Sequence, residues 1–431
     1  MTTALIGFAV LLVLCFLGFR VGFATLIVGF VGFALERGWS AALIMVGQQV
    51  FHDSMNYNLS VIPLFILMGV FIFRSDVSSD LYDAAYSALG KFRGGLAHST
   101  VLAAGGFSAV CGSTLATAAT MAKVAMPPMQ AYNYSNRLAS GTIAAGGTLG
   151  IMIPPSVPLV IYGIIAEQDV GLLFIAGVLP GMLLVLLFLA SVSIVVRRDP
   201  EAAPPSEPLD PERRKAAIRG TMPVLILFAI VLGGIYSGAF TATEASGIGA
   251  FGAAVIALLR GHLRTIEEWR LCLVDATVTT ATIFMVLLGA IVFSQFINLS
   301  GMPYDLLDYV DAWELSPWQL VAFVAFIAVL MGMVFEAIGI LVLLVPVFLP
   351  ALTLSGVDMI WFGIIVVIVS EIGLITPPIG MNVFVVKSVL PEVALADIFR
   401  GVMPYIIALL SALVLVFIFP QIATLLPGLM R

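Results

Sequence analysis

Pro154 and Pro155, in the segment GTLGIMIPPS, recur 223 positions later as Pro377 and Pro378 in IGLITPPIG, each pair inside a strongly apolar stretch. Proline lacks a backbone donor and clashes with the preceding turn, so each pair interrupts a helix. The same offset aligns Gly150 with Gly373, Pro127 with Pro350, and Gly112, Ser113 and Thr114 with Phe335, Glu336 and Ala337. A repeat of that length spans half the chain. The sequence therefore predicts one broken-helix unit used twice.

Composition places both breaks in a bilayer. Of 431 residues, 61% are hydrophobic and only 10% charged, more apolar surface than a soluble fold buries. Irregular backbone at membrane depth is tolerated only where protein encloses it or where it lines a wet cavity, and paired interrupted segments in two halves mark a transporter's binding site. Cys15, Cys111 and Cys272 lie in or beside apolar sequence without CxxC or histidine spacing, so neither a disulfide framework nor a zinc site is expected. His52, His98 and His262 are isolated. The net charge of −6 changes sign from loop to loop and points to no nucleic-acid partner.

Apolar runs long enough to span occur at about 4–19, 21–35, 58–73, 138–165, 171–196, 222–240, 245–259, 275–298, 358–386 and 402–428. The first begins without a preceding Lys or Arg, which predicts a retained helix and not a cleaved signal peptide. Two further stretches, about 95–129 and 317–353, are interrupted by CGST and GMVFEAIG and read as re-entrant hairpins. Residues 40–55 read as an interfacial amphipathic helix. The expected fold is thus an all-α polytopic membrane protein of about ten transmembrane helices and two hairpins: residues 1–196 and 222–431 as inverted repeats, joined by a cytoplasmic linker over 197–221 that holds Pro204, Pro205, Pro208 and Pro211.

Charge orients it. With the N-terminus outside, Arg20, Arg74, Lys91, Arg93, Arg137, the cluster from Arg197 to Arg219, Arg260, Arg264, Arg270, Lys387 and Arg400 face the cytoplasm, and only Arg37 and Arg431 lie outside. The loops at Glu167–Asp169 and Asp305–Glu314, with Asp311, are acidic and outer. In this arrangement the two hairpins open to opposite faces, the requirement for an outward-open and an inward-open state of similar energy.

The segments GFSAVCGSTLATAATMAKVAMPPM, AAGGTLGIMIPPSVPLVIYG, TATEASGIGAF, GMVFEAIGILVLLVPVFLP and EIGLITPPIGMNVFVVK together resemble the large membrane (M, DctM-like) subunit of tripartite ATP-independent periplasmic (TRAP) transporters, through nearly the whole chain. That resemblance implies a secondary transporter working by an elevator motion, usually sodium-driven, with a small four-helix (Q-type) membrane subunit and a periplasmic (P-type) substrate-binding protein, in the bacterial inner membrane. Substrates in the family are mostly carboxylate-bearing organic anions. Thr114, Glu336 and Ala242 stand where the family often has serine, aspartate and proline; the longer Glu336 leaves the substrate open.

A broken helix bares carbonyls on one side of the gap and N–H groups on the other, the first suited to a hard cation and the second to an anion. For a first sodium ion the sequence offers carbonyls and hydroxyls around Gly112, Ser113, Thr114, Gly147, Thr148, Gly150 and Pro154. For a second it offers Gly332, Glu336, Gly373, Thr376 and Pro377. Substrate is expected at Ser113, Thr114, Ser156 and Glu336. Of the three carboxylates in apolar spans, Glu371 is read as a brace for the second break, Glu244 as a helix cap, and Glu336 as a binding group. Lys123 reads as a snorkelling cation. Three alternatives stay open: a proton-coupled carrier using Glu336 or Glu371, an intramembrane enzyme, and a non-transporting scaffold subunit.

Overall fold

The computed structural model describes residues 2–207 and 209–430; Met1, Pro208 and Arg431, and the side chains of Tyr309 and Asp311, lie outside the described residues. Pro208, Arg431 and the Asp311 side chain, used above for linker and orientation, therefore receive no structural account.

Twenty α-helices follow one another: α1 (Thr2–Phe16), α2 (Val21–Arg37), α3 (Trp39–Ser54), α4 (Val61–Phe73), α5 (Val77–Leu89), α6 (Gly95–Cys111), α7 (Thr114–Ala131), α8 (Asn136–Met152), α9 (Val157–Ile165), α10 (Val170–Arg198), α11 (Pro211–Tyr236), α12 (Ala242–Leu259), α13 (Ile266–Leu299), α14 (Met302–Ala312), α15 (Pro317–Gly332), α16 (Ala337–Leu354), α17 (Met359–Ile375), α18 (Met381–Val389), α19 (Leu395–Ile418) and α20 (Gln421–Gly428). No strand occurs among the described residues. Polar residues set the helix starts. Thr241 and Glu244 form a capping box on α12, Thr265 and Glu268 one on α13, and Ser316 and Gln319 one on α15; Asp358 accepts from Ile360 and Trp361 at the start of α17.

Six single helices are long and apolar enough to cross a membrane, α10, α11, α12, α13, α16 and α19, or eight spans if the bent pairs α3–α4 and α8–α9 each count as one. The ten expected spans included 4–19 and 21–35, which are helices of 15 and 17 residues. At 1.5 Å per residue these reach about 22–26 Å, short of a hydrocarbon core of about 30 Å.

Two bundles result. In one, α2 lies along α13, α12 along α4, and α11 along α12, with α5 packed between α11 and α6 of the other. In the other, α8 and α17 meet at the centre, wrapped by α6, α7, α10, α15, α18 and α19. All 17 residues of α17 are buried. Helices pack this tightly without a hydrophobic drive only where small residues let backbones touch. A Cβ on Gly29 would lie 2.6 Å from the Phe293 backbone of α13, and one on Gly141 would lie 2.3 Å from the Gly401 backbone of α19.

Shifted by 223 positions, Thr114–Ala131 coincides at both ends with Ala337–Leu354, and Asn136–Met152 with Met359–Ile375. The hairpins expected at 95–129 and 317–353 are the helix pairs α6–α7 and α15–α16. Four elements differ from expectation. Residues 77–89 and 302–312 form helices α5 and α14, too polar on one face to register as spans. The linker is partly helical, since α11 starts at Pro211. The span expected at 275–298 begins nine residues earlier, at Ile266.

Candidate functional site

Each hairpin breaks where its second arm needs an N-cap. In the first, α6 ends at Cys111, Gly112 turns the chain with φ 61°, and Ser113 caps α7 by accepting from Ala116 N at 3.4 Å. In the second, α15 ends at Gly332 and Glu336 occupies the cap position of α16, yet its side chain makes no capping bond. Ser113 and Glu336 are equivalent under the repeat. The hydroxyl is spent on its helix and the carboxylate is free.

Both tips line one cavity of about 420 Å³. Ser113, Thr114 and Gly112 come from the first and Glu336 and Ala337 from the second; Ile151, Val157 and Pro158 flank the first proline pair. The opposite wall belongs to the other bundle: Gly69 and Val70 on α4, and Asp275, Thr279 and Thr282 on α13. The α13 residues were missed. The charged stretch from Ile266 to Asp275 lowers hydropathy and reads as loop, but the T-x-x-E capping signal at Thr265 marked the true helix start and would have put Asp275 inside the helix.

The two breaks share a design. After α8, Ile153 is extended, Pro154–Pro155 is a cis peptide, and Ser156 caps α9, accepting from Leu159 N and donating to Ile151 O at 2.5 Å. After α17, Thr376 is extended and donates to Ile372 O at 2.5 Å, and Pro377–Pro378 is again cis. Their surroundings differ. Pro154, Pro155 and Ser156 are buried, whereas Pro377, Pro378 and Ile379 are exposed.

Glycines let the tips and the broken helices pack backbone to backbone. A Cβ on Gly150 would lie 3.0 Å from Ser113 O, one on Gly147 would lie 3.1 Å from Thr114 O, and one on Gly112 would lie 3.1 Å from Pro155 O. In the second half a Cβ on Gly373 would lie 2.5 Å from Gly332 O. Thr148, fully buried, donates to Ala145 O and keeps its lone pairs. These oxygens are neutral, and Ser113 O also accepts from Thr117 N at the start of α7. Of the residues singled out from sequence, Gly112, Ser113, Thr114 and Glu336 line the cavity. Gly147, Thr148, Gly150 and Pro154 pack behind the first tip, Gly332 and Gly373 pack on each other, and Thr376 and Pro377 sit at the second break. Ser156 lies outside the cavity wall, its hydroxyl spanning its own break.

Glu371 does not brace the second break: it is fully buried and neither carboxylate oxygen has a hydrogen-bond partner. Glu244 caps α12, accepting from Thr241 N at 2.8 Å. Lys123 is exposed on α7. His98 is a satisfied packing residue, bridging Gly94 O and Ser193 Oγ, each at 2.9 Å.

Two hairpin tips meeting two broken helices against a second helical bundle define a polytopic membrane carrier, and solved structures contain the same fold. The Alcanivorax borkumensis YdaH transporter, a crystal structure with an unusual topology, superposes with a TM-score of 0.59 over 87% of this chain and 88% of that one, at 15% identity. The profile of the tripartite ATP-independent periplasmic transporter DctM component matches residues 8–422, and the chain belongs to that family. Among its relatives are the C4-dicarboxylate TRAP transporter large permease protein DctM of Pseudomonas aeruginosa, 36% identical over 88% of both chains, and the sialic acid TRAP transporter large permease protein SiaM of Vibrio cholerae, 30% identical over 96% of both. The ectoine/5-hydroxyectoine large permease protein UehC of Ruegeria pomeroyi is 31% identical over 96% of both. The chain is accordingly a transport permease and not an enzyme.

Proposed function

We propose that this subunit carries a small carboxylate-bearing organic anion into the cell, coupled to two or more sodium ions, by sliding the bundle around α8 and α17 against the bundle around α13 in an elevator motion. The carrying observation is that the two hairpin tips, Ser113 and Glu336 at equivalent positions, line a single cavity whose far wall belongs to the other bundle. The oxygens of Ser113, Thr114, Pro155 and Gly332 behind the tips, with Thr148 and Thr376, are the sodium ligands in this reading. Carboxylate substrates follow from relatives named for C4-dicarboxylates and sialic acid. Partners are a small four-helix membrane subunit and a periplasmic binding protein that delivers the substrate. The two halves are inverted repeats in the inner membrane, N-terminus outside, so cysteines at Glu201 and Glu314 label from opposite faces.

A second reading has its own support. Glu371, buried without a partner, is a group a proton-coupled carrier would titrate. The deciding experiment is uptake into proteoliposomes holding the permease with both partners. The sodium reading expects uptake to rise steeply with external sodium, and Thr376→Val to raise the sodium needed by about tenfold. Robust sodium-free uptake driven by a pH gradient and abolished by Glu371→Gln would overturn it.

A further inference from the structure

A second cavity, also of about 420 Å³, adjoins the first; Phe73 stands in the wall of both. Arg74, in the second cavity, reaches across to Asp275, in the first, with Nη2 to Oδ2 at 2.5 Å. The remaining lining includes Thr120 and Lys123 from the first hairpin, Asp76 and His262 from loops, and Glu268 from the first turn of α13. This is the basic end of the molecule, where Arg260 holds Asp80 at 2.6 Å and Arg213 holds Asp83 at 2.8 Å.

Hydrogen-bond inventory shows what the cavity lacks. Of its acids, Glu268 is engaged, accepting from Arg264 N and Thr265 N, and Asp76 is exposed, 3.6 Å from His262. Three donor groups have no acceptor. Thr120 is 7% exposed and its hydroxyl has no partner, Arg74 Nε is buried without an acceptor, and Lys123 has no carboxylate within ion-pair reach among the described residues. Unsatisfied buried donors are costly, and two of them, Thr120 Oγ1 and Arg74 Nε, beside the exposed cation of Lys123, match an acceptor-rich anion. The repeat sharpens the point. Position 346, equivalent to Lys123, is a proline lining a larger cavity of about 820 Å³ at the other end of α13, whose charged residues are Asp53, Glu167 and Asp169, with His52 and no Lys or Arg.

We propose that the cavity bounded by Arg74, Thr120 and Lys123 is a second anion subsite, which takes the carboxylate of the transported solute as it leaves the hairpin tips, with Phe73 and the Arg74–Asp275 pair as the partition between the two. This rests on the carboxylate reading above, so the test avoids transport. Thr120→Cys is made the sole thiol of the permease–small-subunit complex, with Cys15, Cys111 and Cys272 replaced, and is modified by a sulfonate-bearing or a trimethylammonium-bearing methanethiosulfonate. Relative to a free thiol, the anionic reagent should be favoured by about tenfold, Lys123→Gln should remove most of that preference, and Lys123→Arg should restore it. Millimolar succinate should slow modification only when position 123 is basic. Asp275→Asn, which frees Arg74, should strengthen both effects. Ser78→Cys, in the same cavity, serves if Thr120→Cys does not insert. A preference for the cationic reagent, or indifference to Lys123→Gln, overturns the subsite whatever the uptake assay shows. Weaker succinate protection in Asp275→Asn overturns the partition.

Discussion

Residues 43–73 and 266–296 are equivalent under the 223-residue repeat, yet the first bends by 64° between two helices and the second lies within one unbroken helix of 34 residues. The difference is local. The first copy has Asn56, whose side chain accepts from Asn58 N in a tight turn, and Pro63 in the next turn; the second has Thr279 and Val286 at those positions. Asx turns and proline divert a helix, and threonine and valine leave it running. The consequence is functional: Asn56 and Asn58 line the 820 Å³ cavity at one end, whereas Thr279 and Thr282 line the hairpin-tip cavity nearer the other. A duplicated segment thus provides a corner in one half and a rail in the other.

The hairpins diverge in the same way. Nearly all of α6 is buried, but α15 buries only one side, and the first proline break is enclosed whereas the second is exposed. Under the elevator motion proposed above, the enclosed break would belong to the closed face and the exposed one to the open face.

The largest expected effect tests the bend. Val286→Pro puts the first copy's breaker into the straight helix, at a position whose backbone lies 2.8 Å from a Cβ on Gly22. A loss of about 3 kcal/mol or more is expected, seen as a collapsed folded fraction in size-exclusion chromatography. An unchanged melting temperature would sink the explanation of why α13 is straight.

Next come the tips' seats. Gly373→Ala meets Gly332 backbone atoms at 2.4 Å, while Gly150→Ala meets Ser113 backbone at 3.0 Å. Neither neighbour is a movable side chain, so the first should cost about 2–3 kcal/mol and the second about 1 kcal/mol by thermal unfolding in detergent. Equal losses would mean that the two tips are seated alike.

At the cap positions, Glu336→Gln removes a charge that no helix cap uses, and Ser113→Ala removes a neutral hydroxyl. Reconstituted uptake should fall by about 10–100-fold for the first and about 2–10-fold for the second, from charged and neutral hydrogen bonds of about 1.5–3 and 0.5–1.5 kcal/mol. The reverse order would move substrate recognition to the first hairpin.

Much of this was legible because breakers are local. Gly112, the proline pairs and the repeat placed the ends of the hairpins and broken helices to within three residues. What escaped were elements whose evidence is amphipathic or distant: α5 and α14 hide in polar sequence, the start of α13 sits in EEWRLCLVD, and the Arg74–Asp275 pair joins residues 201 positions apart. Glu371 shows the other limit. Sequence identified a costly buried carboxylate but not whether anything would meet it.

The smallest effect returns to the corner and its counterpart. Asn56→Ala deletes the side-chain acceptor that turns α3 into α4, a cap-like bond worth about 1 kcal/mol, so the melting temperature should drop measurably. Thr279→Ala removes only a hydroxyl donating to Asp275 O one turn back, which α13 does not need, so stability should stay within about 0.5 kcal/mol. Its cost should instead appear as uptake lowered by about 2–10-fold, because the hydroxyl faces the cavity shared with Ser113 and Glu336. Equivalent positions would then fail in different assays, one in stability and one in transport. If Thr279→Ala unfolds the protein as readily as Asn56→Ala while uptake per folded molecule is unchanged, the rail is ordinary scaffold and the wall of the site must be sought elsewhere.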